Sequence, residues 1–227
     1  LADSALFLDT FGSFAESLSD AAGTTPGPLR IGWSLSATAA LRPAPLDPQV
    51  RAALDATVAT LTAAGHDVRQ VDIPFGLKAK ALTVRYLRGI HDAAVAVDDP
   101  TSLEDRTRGI ARLGGPFTPK VVDWAIRQGR EFGASIHDDL GVDVLVTPVM
   151  SGPAIPVGHW DDLGPVRLLL AMNSFYAYTA QWNHAGTPAV SMPAGTTTSG
   201  LPLAVQLIAR PGDDARLMSV ARQVETG

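Results

Sequence analysis

The stretch AQWNHAGTPAVSMPAGTTTSGLPLAVQLIARPGDDARLMSVARQVE, residues 180–225, carries the pattern that decides the fold. AVSMP (189–193) alternates apolar and polar residues, and LPLAVQLIA (201–209) is nearly continuous apolar sequence, so both read as strands. GTTTSG (195–200) joins them as a polar turn. Asp213-Asp214 then opens a helix with Leu217, Ala221 and Val224 on one face. Two strands followed by an amphipathic helix call for a sheet with helices packed on it.

The segments upstream extend that plan. VDVLVTP (142–148) is an apolar run expected to be covered on both faces. Thr118-Pro119 starts a helix whose stripe of Val122, Ala125, Ile126, Gly129, Phe132 and Ile136 runs to Leu140. LRIGW (29–33) reads as a strand, followed by a loop rich in Ala and Pro. Asp47-Pro48 then caps a helix carrying Val50, Leu54, Val58 and Leu61 to Gly65, and DVRQVDIP (67–74) returns as a strand. Strand, helix, strand is a βαβ unit with parallel strands. Residues 2–18 read as one helix and 77–97 as another. DDPTSLEDRTRG (98–109) reads as a polar connection, and a Pro- and Gly-rich loop (148–165) leads to a helix through about Gln181. The fold class is α/β, a mixed β-sheet flanked by helices, in a single domain over 1–227 without internal repeat. Leu1 and Gly227 both fall in helical patterns, which gives the expectation that the chain is part of a larger domain.

Composition excludes several function classes. The 23 acidic and 18 basic residues give a net charge of -5 without charge blocks, which argues against direct nucleic-acid or anionic-membrane binding. There is no cysteine, so disulfides, thiolate metal sites and a cysteine nucleophile are excluded, and a cytoplasmic setting is expected. No apolar run is long enough to cross a bilayer. A small-molecule partner fits best.

Local motifs give no complete chemistry. His184 and Ser191 could meet across the Gly-Pro turn as base and nucleophile, but a strand serine and a loop histidine explain them as well, and no Gly-Xaa-Ser-Xaa-Gly elbow exists. The five histidines show no metal-ligand spacing; His137 with Asp138 and Asp139 points in different directions on a helix, and His66 reads as surface. No metal or cofactor is expected. The pairs Asp98-Asp99, Asp138-Asp139, Asp161-Asp162 and Asp213-Asp214 read as caps and solvated charges. Tyr86, Trp124 and Trp182 could line an apolar pocket or belong to the core.

Residues 180–225 resemble the C-terminal hallmark of the amidase signature family. There an Asn, a Gly-Xaa-Pro-Ala, a strand ending Pro-Ala-Gly, a Gly-Leu-Pro, a Gln-Leu-Ile strand and a closing helix follow in this order. LRIGW, AAGHDVRQVDIP, DVLVTP and LADSALFLDT are similar to the family's other segments, so the resemblance covers essentially the whole chain. It implies a serine hydrolase of amide bonds, with a lysine acting through a cis-peptide serine on a second serine. No Gly-Ser-rich signature is present and Lys78, Lys80 and Lys120 lie in no comparable context, so no catalytic residue is assigned. The resemblance implies that Trp182, Asn183, Gly186 and Thr187 approach the acyl pocket as substrate-binding residues. Trp182 would offer apolar area, and Gly186 would let backbone come close. Asn183 would bond either substrate or buried backbone. It also implies an upstream N-terminal half as partner, an amide as substrate, and inactivity of this chain by itself. A homo-oligomer is compatible. The alternatives are a non-catalytic scaffold or binding subunit of the same fold, or an amidotransferase subunit acting on charged tRNA.

Overall fold

A computed structural model describes residues 1–37 and 45–227. The sheet is built around β1 (Arg30–Trp33) and β3 (Val144–Pro148), which pair parallel with Ile31 opposite Val144. On one side β2 (Asp67–Gln70) adds parallel to β1. On the other, β5 (Pro202–Ala209) runs antiparallel to β3, and β4 (Ala189–Thr196) closes that edge antiparallel to β5. The order β2-β1-β3-β5-β4 is the mixed sheet expected, with the βαβ unit parallel as read from the sequence. Pro193 sits in the edge strand, where a missing N–H is tolerated, and the register shifts between it and Thr196.

Helices cover both faces. α3 (Pro48–Ala63) and α10 (Asp214–Thr226) pack Leu54, Leu61, Leu217 and Val220 against Ile31, Val144, Val146, Val205 and Leu207. The opposite face, through Leu145 and Ile208, receives Phe132 and Ile136 of α7 (Pro119–Leu140) and Trp182 of α9 (Ala180–Ala185). All five residues of β3 are buried, as its unbroken apolar run requires. Asp47 accepts from the Gln49 N–H at 2.7 Å, so the cap read from Asp47-Pro48 forms. The Ala- and Pro-rich loop before it falls largely on residues 38–44, outside the described residues.

Four readings are corrected. The helix expected over 2–18 is two: α1 (Ala2–Phe11) stops at Gly12, and α2 (Leu18–Ala22) starts anew. The Asp9 carboxylate accepts from the N–H groups of Leu18 and Ser19, at 2.8 Å each, and Ser17 Oγ accepts from the Asp20 N–H. Those bonds satisfy donors at the second helix's start and so favour the break. The connection over 98–109 contains the start of α6 (Asp105–Gly114), whose apolar contacts come late, at Ile110, Ala111 and Gly114. A Cβ on Gly114 would lie 2.0 Å from the Leu87 carbonyl oxygen, so glycine is what lets α6 meet α5 (Leu82–Val95). The 77–97 helix likewise divides into α4 (Leu77–Lys80) and α5. His66, read as surface, is buried. Its Nδ1 accepts from the Leu29 N–H at 3.1 Å, which leaves Nε2 to donate to Gln223 Oε1 at 2.8 Å.

No helix among the described residues is long and apolar enough to cross a membrane.

Candidate functional site

The segment from Trp182 to Thr187 lies between the helical layer and the edge strand. α8 (Pro165–Phe175) feeds the short α9, and α9 ends at Gly186 in the left-handed region, φ 72°. The Gly186 N–H donates to the Trp182 carbonyl at 2.9 Å, a helix stop that a residue with a Cβ adopts at a cost. Nothing lies within 4 Å of where a Gly186 Cβ would stand. The glycine is therefore set by backbone conformation and not by crowding among the described residues.

The other residues divide sharply. Trp182 is 2% exposed and its ring meets those of Phe75 and Phe132 at centroid distances of 6.3 and 6.2 Å. Its indole backs the segment from the core and does not line an open surface. Asn183 is exposed, and among the described residues its amide makes no hydrogen bond. Thr187 is half-buried, with its Oγ1 enclosed and without a partner among the described residues. Asn183, Gly186 and Thr187 thus share one short turn, and Asn183 offers it a free donor and acceptor.

His184 does not meet Ser191. Its Nε2 faces the Lys78 carbonyl at 3.2 Å and, since a carbonyl only accepts, carries the proton; Nδ1 then accepts from Arg85 Nη1 at 3.3 Å. Both ring nitrogens are committed. Burial, aided by the Arg85 cation, holds the imidazole below its usual range, against the opposing bond to Lys78. Ser191 is exposed on β4, opposite Gln206. Among the described residues no lysine amine bonds a serine, and no group of three or more His, Asp or Glu is placed to hold a metal ion.

Of the aspartate pairs, Asp99 is a cap, accepting from the Thr101 N–H at 2.9 Å, whereas Asp138 pairs with Arg210 at 2.7 Å and Asp213 makes no cap bond and pairs with Arg216 at 2.5 Å. Asp161 and Asp162 line an open groove of about 480 Å³ with Glu104, Asp105 and Arg106, away from the residues of the turn. Tyr86 is 42% exposed and Trp124 half-buried. Sequence reasoning missed Arg85, Gly129 and Gly133, which surround His184 and Ala185; the Gly-x-x-x-Gly spacing of the latter two was the available signal.

The sequence model of the Amidase family matches residues 120–218. AmiB2 of Mycobacterium tuberculosis, assigned by its name to the amidases, is 39% identical over 213 residues, 91% of this chain and 45% of its own length. The 6-aminohexanoate-cyclic-dimer hydrolase of Pseudomonas sp. (strain NK87) is 28% identical over 208 residues, 79% of this chain and 40% of its length. A solved 6-aminohexanoate cyclic dimer hydrolase in complex with substrate superposes with a TM-score of 0.74 at 23% identity, covering 99% of this chain and 52% of that one, which shows a shared fold. The chain spans about half the length of the curated relatives it matches.

Proposed function

The chain belongs to the amidase family, and on that premise we propose that the complete protein hydrolyses carbon–nitrogen amide bonds, with this chain supplying sheet, core and part of the substrate pocket. The observation that carries the reading is the 39% identity to an amidase over 91% of the chain. A serine in a companion half, upstream in the same protein, adds to the amide carbonyl while its proton passes through a second serine to a lysine. The C–N bond breaks, the amine leaves with a proton, and water hydrolyses the acyl ester. The turn of Asn183, Gly186 and Thr187 forms one wall of the pocket, with the free Asn183 amide directed to the substrate and Trp182 supporting it from behind.

The companion half is supported by a surface. α1 buries Ala5 against Leu18 and Met218, yet leaves Leu6, Phe7 and Phe11 61%, 62% and 76% exposed on its other side. A contiguous apolar face of that kind fits an intramolecular partner. The chain by itself is then inactive, and the absence of cysteine suits a cytoplasmic enzyme, to be checked by cell fractionation.

Assay of the complete protein on aryl and aliphatic amides tests the reading. Turnover with labelling by a serine-directed fluorophosphonate is expected. No turnover and no labelling would replace the enzyme by a non-catalytic scaffold.

A further inference from the structure

His184 is held from three directions, through its backbone carbonyl, its ring and the close approach of α7. Arg85 Nη1, on α5, donates to the carbonyl at 2.7 Å. The ring of the same residue is tied to α4 through the Lys78 carbonyl and to Arg85 through Nδ1. From the third side α7 presents Gly129, where a Cβ would stand 2.3 Å from the His184 carbonyl oxygen and 2.8 Å from the ring. One turn later a Cβ on Gly133 would stand 2.6 Å from the Ala185 carbonyl oxygen. The end of α9 therefore sits in a glycine groove on α7, gripped from above by a guanidinium.

Arg85 is unusual in what it holds. Among the described residues it forms no ion pair; its donors go to a helix-terminal carbonyl and a neutral imidazole nitrogen. A charged donor on the carbonyl at the end of a helix makes a stronger bond than a neutral one. Its target lies one residue after Asn183 and two before Gly186, so any shift of that carbonyl moves the turn. Displacing a wall that contacts the substrate removes binding made equally in the ground and transition states, which shows as a raised KM with kcat changed less.

We propose that Arg85 is a positioning residue of the amide-hydrolysing site, fixing through His184 where Asn183, Gly186 and Thr187 stand against the substrate. This rests on the functional reading above, and the experiment separates the two. In the complete protein, Arg85→Met is expected to raise KM for an aryl amide about tenfold, with kcat changed less and fluorophosphonate labelling retained. Hydrogen exchange, followed on a peptide spanning 180–188, should accelerate at Gly186 and Thr187, whose N–H groups both donate to Trp182, and stay unchanged in the sheet. Gly129→Ala leaves Arg85 in place but pushes the same carbonyl, and should give the same rise in KM; it serves if Arg85→Met does not fold. A KM within twofold of the parent in both variants, or exchange unchanged at 186–187, overturns the proposal. If the parent protein turns over no amide, faster exchange confined to the turn keeps the anchoring by Arg85 and removes only its assignment to amide hydrolysis.

Discussion

His137 has lost nearly all contact with water, being 1% exposed, and it spends its Nε2 proton on the Ile208 carbonyl at 3.2 Å. Burial pushes its pKa below 6.5, with Arg210 adding to the effect, while the Ile208 bond, Asp213 and Asp138 oppose it. The folded chain thus refuses a proton that the unfolded chain accepts below pH 6.5. Stability is complete above that pH and falls as the solution is acidified through it. Thermal unfolding midpoints measured from pH 7.5 to 5.5 should fall, and His137→Gln, which keeps a donor for Ile208 but cannot titrate, should flatten the slope. A slope unchanged by His137→Gln would rule out this residue as its source. The sequence placed His137 on the α7 helix but could not show what faced it. Likewise Gly65 beside His66 suggested an exposed corner, whereas Gln223, 157 residues away, covers the imidazole. Single-residue environments made by distant segments are what local pattern does not contain.

Elements were more legible, because periodicity and caps are local. The five strands, α3, α7 and α10 follow from spacing and from the Asp47-Pro48 and Thr118-Pro119 starts, while the left-handed Gly141 that ends α7, with φ 63°, was not read from the sequence. The division of the first helix was hidden because Phe14 and Leu18 keep helical spacing across a break that Asp9 and Ser17 stabilise by side-chain bonds. α6 was hidden because its first turn is wholly polar. Between elements, Arg30 at the start of β1 binds Asp143 just before β3. Its guanidinium donates to both carboxylate oxygens, at 3.1 and 2.7 Å, and its backbone N–H donates at 2.9 Å. These bonds hold the Asp143 carboxyl at about 2. A depressed carboxylate contributes stability above its unfolded pKa near 3.8 and loses it as pH falls toward 2. Arg30 is 53% exposed and solvent weakens the pair, so Asp143→Asn should cost about 1 kcal/mol at pH 7, vanishing near pH 2. Denaturant unfolding at both pH values measures it; an equal loss at each would assign the cost to packing.

For the whole molecule, a chain half as long as its relatives presents a helix with outward aromatic residues. The Phe7 and Phe11 rings meet, tilted by 45° with centroids 4.8 Å apart, on a surface that water should not favour. The isolated 227 residues are expected to self-associate at micromolar concentration, and Phe7→Ser with Phe11→Ser to reduce that association. Sedimentation velocity is the direct measurement. A monomeric parent that unfolds in one cooperative step would show that the face needs no cover.

The register of the sheet also orders events in time. β4 meets β5 across a short turn, with Ala189 opposite Ile208, whereas β1 meets β3 across more than a hundred residues, Ile31 opposite Val144. Closing the longer loop costs more entropy, so the hairpin should form early and the β1–β3 seam late. Pulse-labelling exchange during refolding would show protection at residues 190–208 ahead of residues 31–33, and the reverse order would contradict it. Until that seam closes, Leu145 is paired with Ile208 on one side only, and the last step to native structure is the docking of the β1–β2 pair against β3.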